Sequence, residues 1–143
     1  MPVRTSLRSA CPINALVESL GDPWSLLILR DVVLRRRFRY SEFQRSDEGI
    51  ATNILAERLK RLVRDGFLEK RADPGDRRSS LFLPTDRTLD LIPLLFAAMA
   101  WSARHEPTAE IPAGILEAYR ADPLGTTAML VSDIRQIQEG LAV

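Results

Sequence analysis

Between Thr52 and Asp65 the chain spaces its polar residues as a helix facing a polyanion would need them. On a helical wheel Leu55, Leu59, Leu62 and Val63 share one face, and Asn53, Glu57, Lys60, Arg61 and Arg64 lie on the opposite one. A helix in the major groove of DNA requires this division into an apolar back and a polar front. Thr52 and Asn53 sit near the N-terminus, where recognition helices meet base edges. Lys60, Arg61 and Arg64 lie further along and are placed for phosphates. Arg58 falls beside the apolar face and reads as structural. Downstream, the connector Asp73-Pro74-Gly75-Asp76-Arg77-Arg78-Ser79 offers two adjacent arginines, planar permanent cations suited to a narrow minor groove or a phosphate. Upstream, Arg35, Arg36, Arg37 and Arg39 precede Ser41. Arg37, Arg39 and Ser41 are candidate backbone contacts, although such arginines can also bury their aliphatic stems.

Other reactive residues are few. Cys11 stands before Pro12 at a helix start, with Arg8 near in sequence. A helix N-terminus favours the thiolate, the reactive form, so Cys11 is a candidate redox-sensing thiol; the alternative is a small side chain kept for packing. With a single cysteine, oxidation can give only a sulfenic acid, a mixed disulfide or a bridge between two copies. His105 is the single histidine, beside Glu106 and Pro107. No nucleophile–base pair, phosphate-binding glycine loop or metal-ligand spacing is present, so no catalytic residue, metal or cofactor is expected.

The formal net charge of +1 conceals an asymmetry. Residues 35–78 hold thirteen Arg/Lys against eight Asp/Glu, a net of +5, and the rest of the chain carries −4. A basic middle between acidic flanks suits a localised polyanion surface. The first residues are polar and basic without an apolar segment, and the longest apolar stretch, 94–101, is too short to span a bilayer. A cytoplasmic protein without membrane contact is expected.

Residues 12–20 predict a short helix, with Ile13, Leu16, Val17 and Leu20 on one stripe, Pro12 at its start and Gly21 at its end. Asp22-Pro23 caps a second helix, apolar nearly all round and therefore central. Ser41-Glu42-Phe43-Gln44 has the form of a capping box opening a third. A turn containing Gly49 leads to the helix 52–65, which Gly66 terminates. Strands are expected over 67–72 and 80–84, then a fifth helix from Thr85-Asp86 to about Arg104, kinked at Pro93. Helices over 113–120 and 123–140 complete the chain. The fold class is mainly α with a small β-hairpin: a winged helix-turn-helix with extra C-terminal helices. Its divisions are an N-terminal arm (1–10), a DNA-binding and dimerisation domain (11–105) and a helical extension (106–143). The fifth helix is apolar on more than one face, so Leu95, Phe96, Met99 and Trp101 are candidates for contact with a partner chain, or for cover by the tail helices.

These motifs resemble the HxlR-type regulators, a group of winged-helix transcription factors. The matching residues are Cys11-Pro12, the run Gly21-Asp22-Pro23-Trp24-Ser25-Leu26-Leu27-Ile28-Leu29-Arg30, then Arg39-Tyr40-Ser41-Glu42-Phe43. They continue with Gly49-Ile50-Ala51-Thr52-Asn53-Ile54-Leu55-Ala56-Glu57-Arg58-Leu59 and Leu83-Pro84-Thr85. The resemblance implies sequence-specific binding to double-stranded DNA by a homodimer formed through the first and last helices of the core. That adds Ile13 and Leu16 to the dimer candidates. Some similar regulators use a cysteine at the Cys11 motif to sense oxidants, so an oxidant or small-molecule effector is a candidate partner. Three departures stand out: the 35–39 loop lacks the glycine many members have there, Ala51 stands where many have a helix-capping serine, and the tail after Pro107 lies outside the shared core. The alternative is a winged-helix protein-interaction module without nucleic-acid binding.

Overall fold

The computed structural model describes residues 6–141; residues 1–5 of the expected arm and 142–143 of the expected extension lie outside the described residues. The elements run α1 (Pro12–Leu20), α2 (Ser25–Arg35), α3 (Tyr40–Phe43), α4 (Thr52–Arg64), β1 (Leu68–Asp73), β2 (Asp76–Pro84), α5 (Asp86–Leu89), α6 (Ile92–His105), α7 (Ile115–Ala121) and α8 (Pro123–Leu141). The two strands pair antiparallel, from Leu68 opposite Pro84 to Ala72 opposite Ser80, with an irregularity before Asp73. Arg39 makes an isolated bridge to Leu81, and the Phe82 N–H donates to the Phe38 carbonyl at 2.8 Å. The segment before α3 is thereby sewn to the hairpin.

Two apolar clusters share α2. In the first, Leu29 and Val32 of α2 meet Leu55, Leu59 and Leu62 of α4, Phe43 of α3, and Leu68, Leu81 and Leu83 of the hairpin. This fixes the α4 apolar back against the body of the protein. In the second, Val33 meets Ile92, Leu95 and Phe96 of α6, Leu116 of α7, and Leu130 and Ile134 of α8. Phe96 stacks on Tyr119, ring centroids 4.1 Å apart. Leu95 and Phe96 are therefore covered by the chain's own tail helices, and of the α6 candidates Trp101 is the exposed one, at 59 %. Burying this apolar surface inside the monomer makes α7 and α8 part of the core.

Three local expectations are corrected. The Ser41 capping box does not form: α3 starts at Tyr40 after Arg39, and no side chain caps it. With Ser41 already inside the helix, its hydroxyl cannot serve as the cap. The fifth helix is two helices, because the chain breaks at Asp90-Leu91 and Pro93 sits in the first turn of α6, where its missing N–H costs nothing. The hairpin is longer than its apolar residues indicated. β2 begins at Asp76, so Arg77 and Arg78 lie on the strand beside a tight turn at Pro74-Gly75 and not within a loose connector.

The end of α4 follows its sequence signal. Gly66 adopts φ +79°, and the Phe67 N–H donates to the Leu62 carbonyl at 2.9 Å, closing a Schellman-type turn. The Thr85 and Thr88 hydroxyls donate to the carbonyls of Gly66 and Phe67, and Arg87 donates to that of Asp65 at 3.0 Å. The C-terminus of α4 is thus tied to α5.

Candidate nucleic-acid interface

α3, the turn 44–51 and α4 form the helix-turn-helix, and the β1–β2 hairpin stands beside it as a wing. Two ion-pair hubs set its geometry. The first is Asp22, just before α2. Its carboxylate accepts from the backbone N–H groups of Trp24 and Ser25, each at 3.0 Å, and from the Ser25 hydroxyl at 2.6 Å, so it caps α2 as expected. It also reaches α4: Arg58 Nε donates at 3.0 Å and Arg61 Nη2 at 2.5 Å. Burial opposes its ionisation, but the hydrogen bonds from Ser25, the Trp24 N–H and Arg58 outweigh this and hold the carboxyl well below the usual carboxylate range.

The second hub is Asp31, whose side chain is 2 % exposed and which gathers Arg30, Arg35 and Arg37. Arg30 continues to the helix-turn-helix turn, donating to Glu48 at 2.7 and 3.1 Å and to the Ser46 hydroxyl at 3.1 Å. The Arg30 guanidinium, opposed by partial burial and aided by Ser46, draws the Glu48 carboxyl down to about 2. A third clamp joins α3 to the wing: Arg39 bonds Asp73 at 2.6 Å and Glu42 at 3.3 Å. Arg39 and then the Gly75 N–H hold Asp73 below its ordinary value. Finally the Tyr40 hydroxyl donates to the Thr52 carbonyl at 2.8 Å, fastening the start of α4 to α3. Ala51 provides no side-chain cap, so this bond does the anchoring.

The expected contact residues therefore divide. Thr52, Asn53, Glu57, Lys60 and Arg64 are exposed along α4, and Ser41 is exposed on α3. Arg77 and Arg78 are exposed on β2. Lys60, Arg77 and Arg78 make no ion pair among the described residues; Arg64 pairs with neighbouring Asp65 at 3.0 Å while its side chain stays 68 % exposed. Arg61 does not join this front: it lies on the Asp22 side of α4, with Ser25 as a further partner at 2.9 Å. Arg37 and Arg39 are likewise committed to Asp31 and Asp73. Arg58 is structural, as its wheel position indicated. Arg45, in the turn after α3, is an exposed cation without an ion pair among the described residues; turn residues carry no periodicity, so no sequence pattern marks it. Lys70 of β1, exposed, sits 5.9 Å over the Phe82 ring and adds a further cation beside the wing.

Cys11 is exposed and is the N-cap residue of α1. Arg8 is not its partner: the guanidinium is held by Asn14 at 3.0 Å and lies 3.7 Å from Glu18. Among the described residues no group of three metal-ligating side chains occurs, and no helix is long and apolar enough to cross a membrane.

A family model described as HxlR-like helix-turn-helix matches residues 19–110. The chain belongs to the HxlR-like helix-turn-helix family. Named relatives agree. An uncharacterized HTH-type transcriptional regulator of Escherichia coli, YtfH, is 35 % identical over 65 residues, which cover 45 % of this chain and 50 % of the relative. The chain thus spans about half the length of that relative. An uncharacterized HTH-type transcriptional regulator of Mycobacterium tuberculosis is 28 % identical over 100 residues, covering 70 % of this chain and 62 % of the relative. Among solved structures, PA1607, described as a candidate transcription factor, aligns at a TM-score of 0.64 with 33 % identity over 73 % of each chain. The reduced form of the Bacillus subtilis transcriptional regulator YodB aligns at 0.56 with 23 % identity, over 71 % of this chain and all of that one. The HxlR-like segment takes in both hubs, the helix-turn-helix, the wing and α6, while α7 and α8 lie beyond it. A regulatory family and a winged-helix fold are what the sequence motifs implied.

Proposed function

We propose that this HxlR-like regulator binds double-stranded DNA in a sequence-specific manner as a homodimer. Helix α4 would lie in the major groove and the β1–β2 wing on the backbone or in the minor groove. The observation that carries this reading is the sorting of cations around α4. Arg58 and Arg61 turn inward to Asp22 and fix the helix, which leaves Thr52, Asn53, Lys60 and Arg64 on its solvent face. Asn53, in the first turn, has the paired donor and acceptor that match adenine; Lys60, Arg64, Arg77 and Arg78 match phosphates. If about six to ten phosphates are neutralised per dimer, log affinity falls with log salt at a slope of roughly −5 to −9. Titration of DNA from around the protein's own gene measures it, and a slope near zero refutes the reading. Asn53→Ala weakens the preferred site more than random DNA, by about 1–3 kcal/mol, whereas Lys60→Ala weakens both alike.

A second reading concerns control. Cys11 is exposed at the N-cap position of α1, where its thiol makes no capping hydrogen bond and is open to solvent-borne oxidants. The B. subtilis YodB structures include a reduced form and a diamide-treated form, the latter 25 % identical over 68 % of this chain and 97 % of that one, with a TM-score of 0.51. Oxidation of Cys11 would change the footing of α1 and with it the spacing of two copies. Mild diamide then alters DNA affinity in wild type and not in Cys11→Ser. An equal response in both proteins assigns Cys11 to structure alone.

A further inference from the structure

A cleft of about 710 Å³ opens between α2, α6, the connector 106–114 and α8. Its walls are aliphatic or thioether: Leu34, Leu95, Met99, Ile111, Ile115 and Leu130. Neither this volume nor this lining belongs to the DNA-facing front, and both are those of a small-molecule site, where apolar walls carry a few placed polar groups. The polar groups here are unequal in sign: Arg30, Arg35 and Arg36 line the cleft against one carboxylate, Glu110.

We propose that this cleft binds an aliphatic monocarboxylate, its chain among the Leu, Ile and Met side chains and its head group at Arg35. The ion-pair chemistry selects Arg35. Arg30 already occupies Asp31 through Nε at 2.9 Å and Nη2 at 2.8 Å, and Arg37 approaches the other oxygen at 3.5 Å. Arg35 reaches the same Oδ1 as Arg30 at 3.2 Å, so three guanidinium groups share one carboxylate. Arg36 has Asp133 to itself at 2.9 Å. Arg30 has Glu48 as well, so Arg35 is the cleft cation without a carboxylate of its own, and a ligand carboxylate supplies the missing negative charge. Among the described residues no aromatic side chain lines the cleft, which favours an alkyl chain over a flat ring.

The site has a route to the recognition helix. Arg30 lines the cleft and also holds Glu48 and Ser46 in the turn that leads into α4. An anion drawing on the Asp31 cluster redistributes these bonds and shifts the turn. The binding site stands independently of nucleic acid; its regulatory use rests on the DNA-binding reading.

Calorimetry with sodium decanoate below its micellar concentration, on the full chain without DNA, tests the site. Saturable binding of one decanoate per chain is expected, with decanol weaker and decylamine weaker still. Arg35→Gln lowers decanoate affinity by about tenfold, the loss of one charge-assisted hydrogen bond, and leaves decanol unchanged. Met99→Trp fills the cleft and abolishes both; Ala98→Phe serves the same purpose if the first variant folds poorly. Absence of saturable binding, equal binding by a filled-cleft variant, or preference for decylamine overturns the site. So does a filled-cleft variant that turns monomeric while wild type binds no decanoate, since a second copy then occupies the cleft. Decanoate that changes DNA affinity in wild type but not in Arg35→Gln supports the route through Arg30. Intact decanoate binding with unchanged DNA affinity overturns the route and leaves the site standing.

Discussion

Asp22 shows how one carboxylate can do two jobs. It caps α2 through the Trp24 and Ser25 N–H groups and, through Arg58 and Arg61, sets the position of α4. Both arginine side chains are mostly buried, at 19 % and 25 % exposure, so a lost counter-charge is not replaced fully by water. Asp22→Asn keeps an acceptor for the cap and strands two guanidinium groups. A destabilisation of about 1–3 kcal/mol is expected, read from the midpoint of urea unfolding. Because the folded-state pKa of Asp22 is depressed, its contribution is complete above the ordinary carboxylate range and is lost as pH falls through that range and below it. The acid limb of the stability profile should therefore be shallower in Asp22→Asn than in wild type. Identical acid limbs would remove Asp22 from the account.

Helix α2 ends on an arginine and not on a glycine, and its C-cap shows the consequence. Arg36 takes up φ +53°, ψ +43°, a left-handed conformation that costs an L-residue roughly 1–2 kcal/mol relative to glycine's freedom there. Its compensation is an ion pair with Asp133, both side chains about two-fifths exposed, and exposed pairs are worth little. Strain then outweighs the pair. Arg36→Gly is expected to raise the midpoint of thermal unfolding, with a gain of up to about 1 kcal/mol, while Arg36→Ala keeps the strain, loses the pair and lowers it. A lower midpoint for Arg36→Gly would mean that the Asp133 contact anchors α8 more firmly than exposure suggests.

The whole molecule divides its apolar surface between an internal and an external cover. Leu95 and Phe96, 6 % and 1 % exposed, are enclosed by α7 and α8. Ile13 and Val17, one turn apart on α1 and 72 % and 50 % exposed, are not, and neither is Trp101. Of the dimer candidates, Leu95 and Phe96 thus drop out of the proposed contact, and Ile13 on α1 and Trp101 at the end of α6 stay exposed for it. Ile13→Asp should convert a dimer to a folded monomer in light scattering with little loss of helical signal. Phe96→Asp should instead unfold the chain, because it buries a charge without a partner at a 1 % exposed site stacked on Tyr119. A wild-type monomer at micromolar concentration would contradict the dimer.

The sequence by itself determined what depends on neighbours along the chain. Helical periodicity placed α1, α2 and α4, Gly66 marked the end of α4, Asp22 marked the cap of α2, and the ordered motifs identified the family. It left open which cations are free, since Arg61 and Arg39 look as available as Lys60 in a one-dimensional pattern. Their partners Asp22 and Asp73 lie 39 and 34 residues away, and only the packing of α4 on α2 and of α3 on the wing brings them within reach. The same holds for α6. Its apolar excess could be read from the sequence, but whether a second chain or the tail helices cover it depends on where α7 and α8 fold back. Long side chains on an amphipathic helix can turn either way, and the tertiary fold decides by placing a buried carboxylate or apolar neighbour on one side.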